Sequence, residues 1–265
     1  MIAGARWVPA IGLLVFATAA MAQNMLRHLD LSSPEMTNAE MTRAEVEAAL
    51  TSAKSGTPAD LSGKKLSGLD LSGLDLSRVV LRAAKLNKTK LVGAKLDGAI
   101  LDQAWLLEAD LTGASVKGAK ISAAQMQRAK LDRADLSGAR VTADLSGASL
   151  IGASLAGANL AADMKNQSMG LRRAVFRSAN LEGANLRGAD LARVDLEFAS
   201  LKRADLTGAS LVSASLGGAD LSGATLADAD LAGADFNSAK LIAPFGLDAA
   251  RNLDKAQNLQ RAVRQ

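Results

Sequence analysis

The chain has 265 residues, 49% of them apolar but only 3% aromatic, with no tyrosine and four prolines. A core drawn from that set, chiefly Ala and Leu, has to be narrow and uniform, because few large side chains are present to fill a wide one. The absence of cysteine excludes disulfides, thiolate nucleophiles and thiolate metal sites, and a formal charge of +4 is too mild to imply nucleic acid.

Residues 1–22 read as an export signal. Arg6 supplies the positive start, Trp7 to Ala20 is an apolar run, and Ala20-Met21-Ala22 satisfies the small-x-small rule, so cleavage is expected after Ala22. The uncharged stretch falls short of the ~18 residues of a spanning helix and contains Pro9. No later segment is long and apolar enough to span a bilayer. The expected product carries a charge of +3 and is periplasmic or secreted, where a large regular core stands in for disulfides.

Residues 23–58 form an N-terminal segment holding the only histidine, His28, and one short helix. Thr42 and Glu45 make a capping box, Val46, Ala49, Leu50 and Ala53 make one apolar face, and Gly56 and Pro58 end it. Its expected role is to cap the domain that begins at residue 59.

From residue 59 to 245 the chain repeats with a period of five. Central residues recur from Leu61 to Val141, then at Leu145, Leu150, Leu155 and Leu160, then from Phe176 to Leu241. Ala stands two positions before 29 of these 35 centres. On an α-helix, five residues advance about 140° beyond one turn, so the leucines would spiral over every face. On a strand they would alternate sides. The chain must therefore corner once per unit; four corners close a coil of 20 residues, and each unit pairs with the one 20 residues on at strand spacing. Ala flanks Leu because so tight a coil has no room for a second large side chain.

The units "ADLSG", "ANLEG", "ADLTG" and "ADLAG" resemble the repeats of the pentapeptide repeat family. The resemblance implies an all-β fold, a right-handed quadrilateral parallel β-helix. It is weak on function: the family is diverse, and a minority of members imitate DNA and bind DNA gyrase.

Two breaks interrupt the period. Val141 to Leu145 is one residue short, and Leu160 to Phe176 is one residue more than three units. The phase is thereby restored, with residues 164–173, including Asn166 and Gln167, expected as a bulge or protruding loop that could carry recognition. In the early units Lys64, Leu69, Leu74 and Val79 replace the inward Ala, which suggests an irregular first coil beneath the helix. Residues 246–265 contain Leu253, Leu259 and Val263 among helix-forming neighbours; a C-terminal cap or a helix joining a homodimer is expected there.

The chemistry-bearing residues point away from catalysis. A triad or His-based metal site would have to be built on His28 alone, and carboxylate pairs such as Asp190 with Asp230 arise by construction, since Asp is the default outward residue. No catalytic, cofactor or metal site is expected. Candidate partner contacts are the outward apolar exceptions Val80, Ile100, Trp105 and Leu107; a girdle of Lys85, Lys88, Lys90 and Lys95, with Trp105 one coil above Lys85 at cation–π range; and the loop with Asn166 and Gln167. Residues 61–142 carry a balance of +6 and residues 143–245 of −2. The expected function is a structural or protein-binding scaffold in the periplasm, with no specific nucleic acid as partner. A gyrase-directed DNA mimic would need dense negative charge and a cytoplasmic location. A carbohydrate-active enzyme using surface carboxylates is the second alternative.

Overall fold

The computed structural model describes residues 30–53, 57–164 and 173–264. Residues 1–22, expected to be an export signal, and His28, Asn166 and Gln167 lie outside the described residues. From Asp60 onward the chain is a stack of coils held by parallel pairing. Asp60 pairs with Val80, Val80 with Ile100, and Ile100 with Lys120, and three further series offset by five residues do the same. We call these ladder 1 (Asp60, Val80, Ile100, Lys120), ladder 2 (Lys65, Lys85, Trp105, Gln125), ladder 3 (Asp70, Lys90, Asp110, Lys130) and ladder 4 (Asp75, Lys95, Ser115, Asp135). Each coil thus contributes one position to each ladder. Ladder 1 has ten rungs, from Asp60 to Arg251, so the stack is about 43 Å long at strand spacing.

The unit around Leu111 shows why five residues suffice. Leu111 N–H donates to Lys130 O at 2.7 Å and Gly113 N–H to Asp132 O at 2.9 Å, both in the following coil. Ser115 N–H returns to Ala94 O in the preceding coil at 2.9 Å, and Ala114 N–H closes the corner on Leu111 O at 3.0 Å. The fifth amide, Thr112 N–H, has no backbone partner in this scheme and donates to the Asp110 carboxylate at 3.0 Å. That is why Asp or Asn so often precedes the central Leu: its side chain completes the hydrogen bonding of the corner. The corner residue after it takes a left-handed conformation, φ +65° at Gly113 and +52° at Ala83, the signature of a type II turn.

Inside, the Leu and Ala of each regular unit are fully buried in one continuous core, each Leu contributing about 2 kcal/mol by leaving water. Where Thr89 replaces an inward Ala, its hydroxyl donates to Leu66 O at 2.8 Å, so no polar group is stranded. The short unit is absorbed in a pair of longer strands. β1 (Lys120–Gln125) runs parallel to β2 (Arg140–Asp144), with a register shift between Ser122 and Gln125. Across the long break the ladder resumes: Asp144 pairs with Val175, 31 residues on, and Ala174 N–H donates to Leu160 O at 3.3 Å.

At the first coil, helix α1 (Pro34–Thr37) and helix α2 (Arg43–Ser52) precede the repeats. Thr42 and Glu45 form the capping box of α2, and Val46 enters the core with Ala49 and Leu50 packed beside it. Leu69 and Leu74 are half-buried against the same core, while Lys64 turns outward to Glu40 at 3.4 Å.

At the other end the structure departs from the expected C-terminal helix. Among the described residues of 246–264 there is no α-helix but three 3-10 turns, Leu247–Ala249, Leu253–Lys255 and Leu259–Arg261. The ladders continue, because Asp230 pairs with Arg251, Asp235 with Gln257 and Lys240 with Val263. The physical reason is a change of period: Gly246-Leu247, Asn252-Leu253 and Asn258-Leu259 recur every six residues, and each Gly or Asn adopts the left-handed conformation. On an α-helix a six-residue step would carry the leucines to different faces.

Candidate interaction surface

Departures from the repeat gather along ladder 2. The N-terminal segment lies against its beginning: Glu35 pairs with both Lys65 and Lys85, and Met36 is 4% exposed. Those two ammonium groups, Lys65 foremost, hold the Glu35 carboxyl below its ordinary pKa. Asn87 is the buried connector. Its Nδ2 donates to Met36 O at 3.1 Å, and its Oδ1 accepts from Leu107 N–H at 3.0 Å. Between segment and coils is a recess of about 390 Å³ lined by Leu31, Met36, Asn87, Lys88, Leu107 and Arg128. Three buried side-chain oxygens without a hydrogen-bond partner among the described residues, Ser67 Oγ, Gln127 Oε1 and Asn237 Oδ1, all come just after central residues of this ladder.

Further along ladder 2, where it resumes after the long break, is a second cluster. Asp195 is 3% exposed; its carboxylate accepts from Glu197 N–H at 3.1 Å and from Arg173 at 3.4 Å, with Arg177 at 3.8 Å. Arg177 also reaches Glu197 at 2.5 Å and lies 5.8 Å from the centre of the Phe198 ring. Phe198 occupies the corner position, at φ +60°, and is 60% exposed. A bulky residue in that conformation is an outlier. Its ring covers Gly218 of the next coil, where a Cβ would sit 2.7 Å from ring carbons. The doublet Gly217-Gly218 therefore leaves the space that the ring fills.

The sequence-predicted contact residues are dispersed over the ladders. Val80 and Ile100 are half-buried neighbours on ladder 1, and Trp105 is half-buried directly over Lys85 on ladder 2. The expected Lys85–Trp105 cation–π contact is not formed: Lys85 turns to Glu35, an ionised partner and the stronger attraction, and Arg177–Phe198 is the contact found among the described residues. Leu107 lies in the recess beneath the N-terminal segment. Lys85, Lys90 and Lys95 stand on three successive ladders, a ring and not a patch; Lys90 faces Asp70 and Lys88 faces Glu108, both at 3.9 Å. Asp190 and Asp230 are two rungs apart on ladder 1, and each carboxylate accepts its own corner amide at 3.1 Å. The Asn252 side chain above all, with the Ala232 amide, lowers the Asp230 pKa despite partial burial.

The pentapeptide repeats family model matches this chain in eight copies, over residues 65–103, 89–124, 109–142, 143–162, 171–208 and 209–242. Among solved structures, the chain is similar to HetL, a pentapeptide repeat protein involved in heterocyst differentiation regulation from the cyanobacterium Nostoc sp. strain PCC 7120. The identity is 30% over 85% of this chain and 98% of that one, at a TM-score of 0.47. It is also similar to QnrB1, a plasmid-mediated fluoroquinolone resistance protein, at 21% identity over 78% and 89% with a TM-score of 0.46. A pentapeptide repeat protein from the Arabidopsis thaliana thylakoid lumen shares 32% identity over 36% of this chain and 63% of that one, at a TM-score of 0.28. No curated protein sequence matches.

Proposed function

Because this chain belongs to the pentapeptide repeat family, we propose that it is a non-catalytic protein-interaction scaffold of the bacterial periplasm, a right-handed quadrilateral rod capped by α2 that meets its partner along ladder 2. One observation carries the reading. Isolated apolar residues stand on other ladders, Val80 and Ile100 on ladder 1 and exposed Phe245 on ladder 4, whereas ladder 2 gathers several features side by side: an apolar recess, half-buried Trp105, and exposed Phe198 beside Arg177. Aromatic and Arg anchors of this kind carry much of the energy at protein interfaces. The charge and apolar pattern of residues 1–22, read as an export signal, supports the periplasmic location. The Asp carboxylates, engaged with their own corners, support a role without catalysis. Cation–anion pairing on the outward positions, as where Lys202 and Lys240 flank Asp220 at 3.5 and 3.7 Å, is unlike the unbroken negative charge a phosphate backbone presents.

Cell fractionation tests the location: recovery in the periplasm is expected, and a cytoplasmic pool of full-length chain overturns it. Crosslinking and pull-down from periplasm tests the surface. Trp105→Ala and Phe198→Ala should each lose partners that wild type retains; equal recovery would remove ladder 2 from the account.

A further inference from the structure

The corners of the coil most often carry glycine, because the backbone there is left-handed. The column of corners that follows ladder 2 departs from this in three coils running. Gly68 is succeeded by Lys88, Glu108 and Arg128, at φ +56°, +57° and +57°. No other column carries three charged residues in consecutive coils among the described residues. All four of these corners line the recess of about 390 Å³ beneath residues 31–37. Passing four coils, the recess is about 14 Å long at strand spacing.

Its interior is apolar, made by Leu31, Met36 and Leu107. Asn87, 7% exposed, also lines it. One Asn87 Nδ2 hydrogen goes to Met36 O and its Oδ1 accepts from Leu107 N–H. An amide carries two donors, and the second finds no acceptor among the described residues. At the mouth, Arg128 Nη2 lies 3.3 Å from one Glu108 oxygen and Lys88 Nζ 3.9 Å from the other. Two exposed cations thus share one acid, and one positive charge is left unmatched.

We propose that this recess binds a free, single-chain anionic amphiphile, a medium-chain carboxylate, as a function separate from contact with a protein partner. A slot of this volume is of small-ligand size, and a mostly apolar lining with a few convergent polar groups is what such sites share. The elongated apolar interior takes an extended alkyl chain. The carboxylate is met at the mouth by Lys88 and Arg128, where charge-assisted hydrogen bonds form, with the spare Asn87 N–H as the inner donor. A cationic or zwitterionic head finds only Glu108, already engaged by two bases. The roof of residues 31–37 favours a free molecule over one held in a bilayer, because the recess opens beneath a segment of the chain and is not displayed on a flat face.

Calorimetric titration of the full chain with decanoate, below its micelle concentration, tests the site. One molecule per chain is expected. Octanoate, with two fewer buried CH₂ groups, should bind about tenfold more weakly, and decyltrimethylammonium more weakly than decanoate. Arg128→Ala should weaken decanoate about two- to five-fold, whereas Glu108→Gln, which frees both cations, should tighten it. Leu107→Trp, which fills the recess, should abolish binding with an unchanged circular dichroism spectrum; the exposed double variant Lys88→Glu with Arg128→Glu serves if Leu107→Trp fails to fold. No saturable heat with decanoate would overturn the proposal. So would equal affinity for decanoate and decyltrimethylammonium, which would mark a plain apolar docking surface, or unchanged decanoate affinity in Glu108→Gln. Flotation of the chain with anionic phospholipid vesicles in place of decanoate binding would assign the surface to a membrane and overturn it equally.

Discussion

Replacing Gly218 by Ala tests whether the Phe198 ring is part of the fold as well as of the surface. Gly93 and Gly218 occupy the same corner position, at φ +62° and +66°. A Cβ at Gly93 meets nothing within 4 Å, whereas at Gly218 it would lie 2.7 Å from two carbons of the Phe198 ring. Gly93→Ala should therefore cost only the left-handed backbone penalty, about 1–2 kcal/mol. Gly218→Ala should cost that and also displace the ring from its glycine bed and from Arg177, a further loss of roughly 0.5–1 kcal/mol for an exposed cation–π contact. In a Phe198→Ala background the second part has already been lost, so Gly218→Ala should then cost no more than Gly93→Ala. Denaturant titration of the four members of this cycle measures the coupling. An equal cost of Gly218→Ala in both backgrounds would refute the argument that glycine is there to seat the ring.

The same contacts carry other consequences. Asp60 and Asp75 have folded pKa values held below the ordinary carboxylate value, chiefly by their hydrogen bonds from Ser62 and Ser77. Their stabilisation is complete above the unfolded carboxylate pKa of about 4 and is lost as pH falls through the lower folded values. The denaturation midpoint should accordingly be flat near neutrality and drop below about pH 4; a midpoint that rises on acidification contradicts this assignment. Arg43→Ala should expose the Asp70 and Ser72 carbonyls, lower stability by about 1 kcal/mol, and speed hydrogen exchange in the first coil while leaving the last coil unchanged. Glu35→Gln should loosen residues 30–41 from Lys65 and Lys85, seen as faster exchange there and brighter binding of an apolar dye in the recess around Leu107; unchanged exchange would show that the ion pairs do not hold the segment.

Much of the fold can be read from spacing alone, because one leucine per five residues allows only a chain that corners once per unit. The α2 capping box is equally legible, since Thr42 and Glu45 need only local geometry to find each other. The last coil is not, because its six-residue period places Leu253 and Leu259 among Ala, Lys, Gln and Arg, residues that favour a helix locally; the Asn-Leu recurrence at 252 and 258 is the signal that separates the two. On the surface, Val80, Ile100 and Trp105 stand out because the position before each centre is nearly always polar. Phe198 escapes that comparison: it replaces glycine at the corner, two residues after a centre, and only the doublet Gly217-Gly218 twenty residues on hints at a ring. The 20-residue separations of Arg177 from Glu197 and of Asn87 from Leu107 become neighbours only once the coil is closed. The covering of Leu107 by residues 31–37 has no periodic signature, because it depends on where a non-repeating segment folds back.

Photo-crosslinking in cells tests the central claim most directly. A photoreactive amino acid placed at position 198, at the corner that follows ladder 2, is compared with the same residue at position 185, on ladder 4. Partner adducts from position 198 and none from position 185 are predicted; adducts of equal yield from both, or from position 185 alone, would contradict an account in which one ladder of the rod makes the contact.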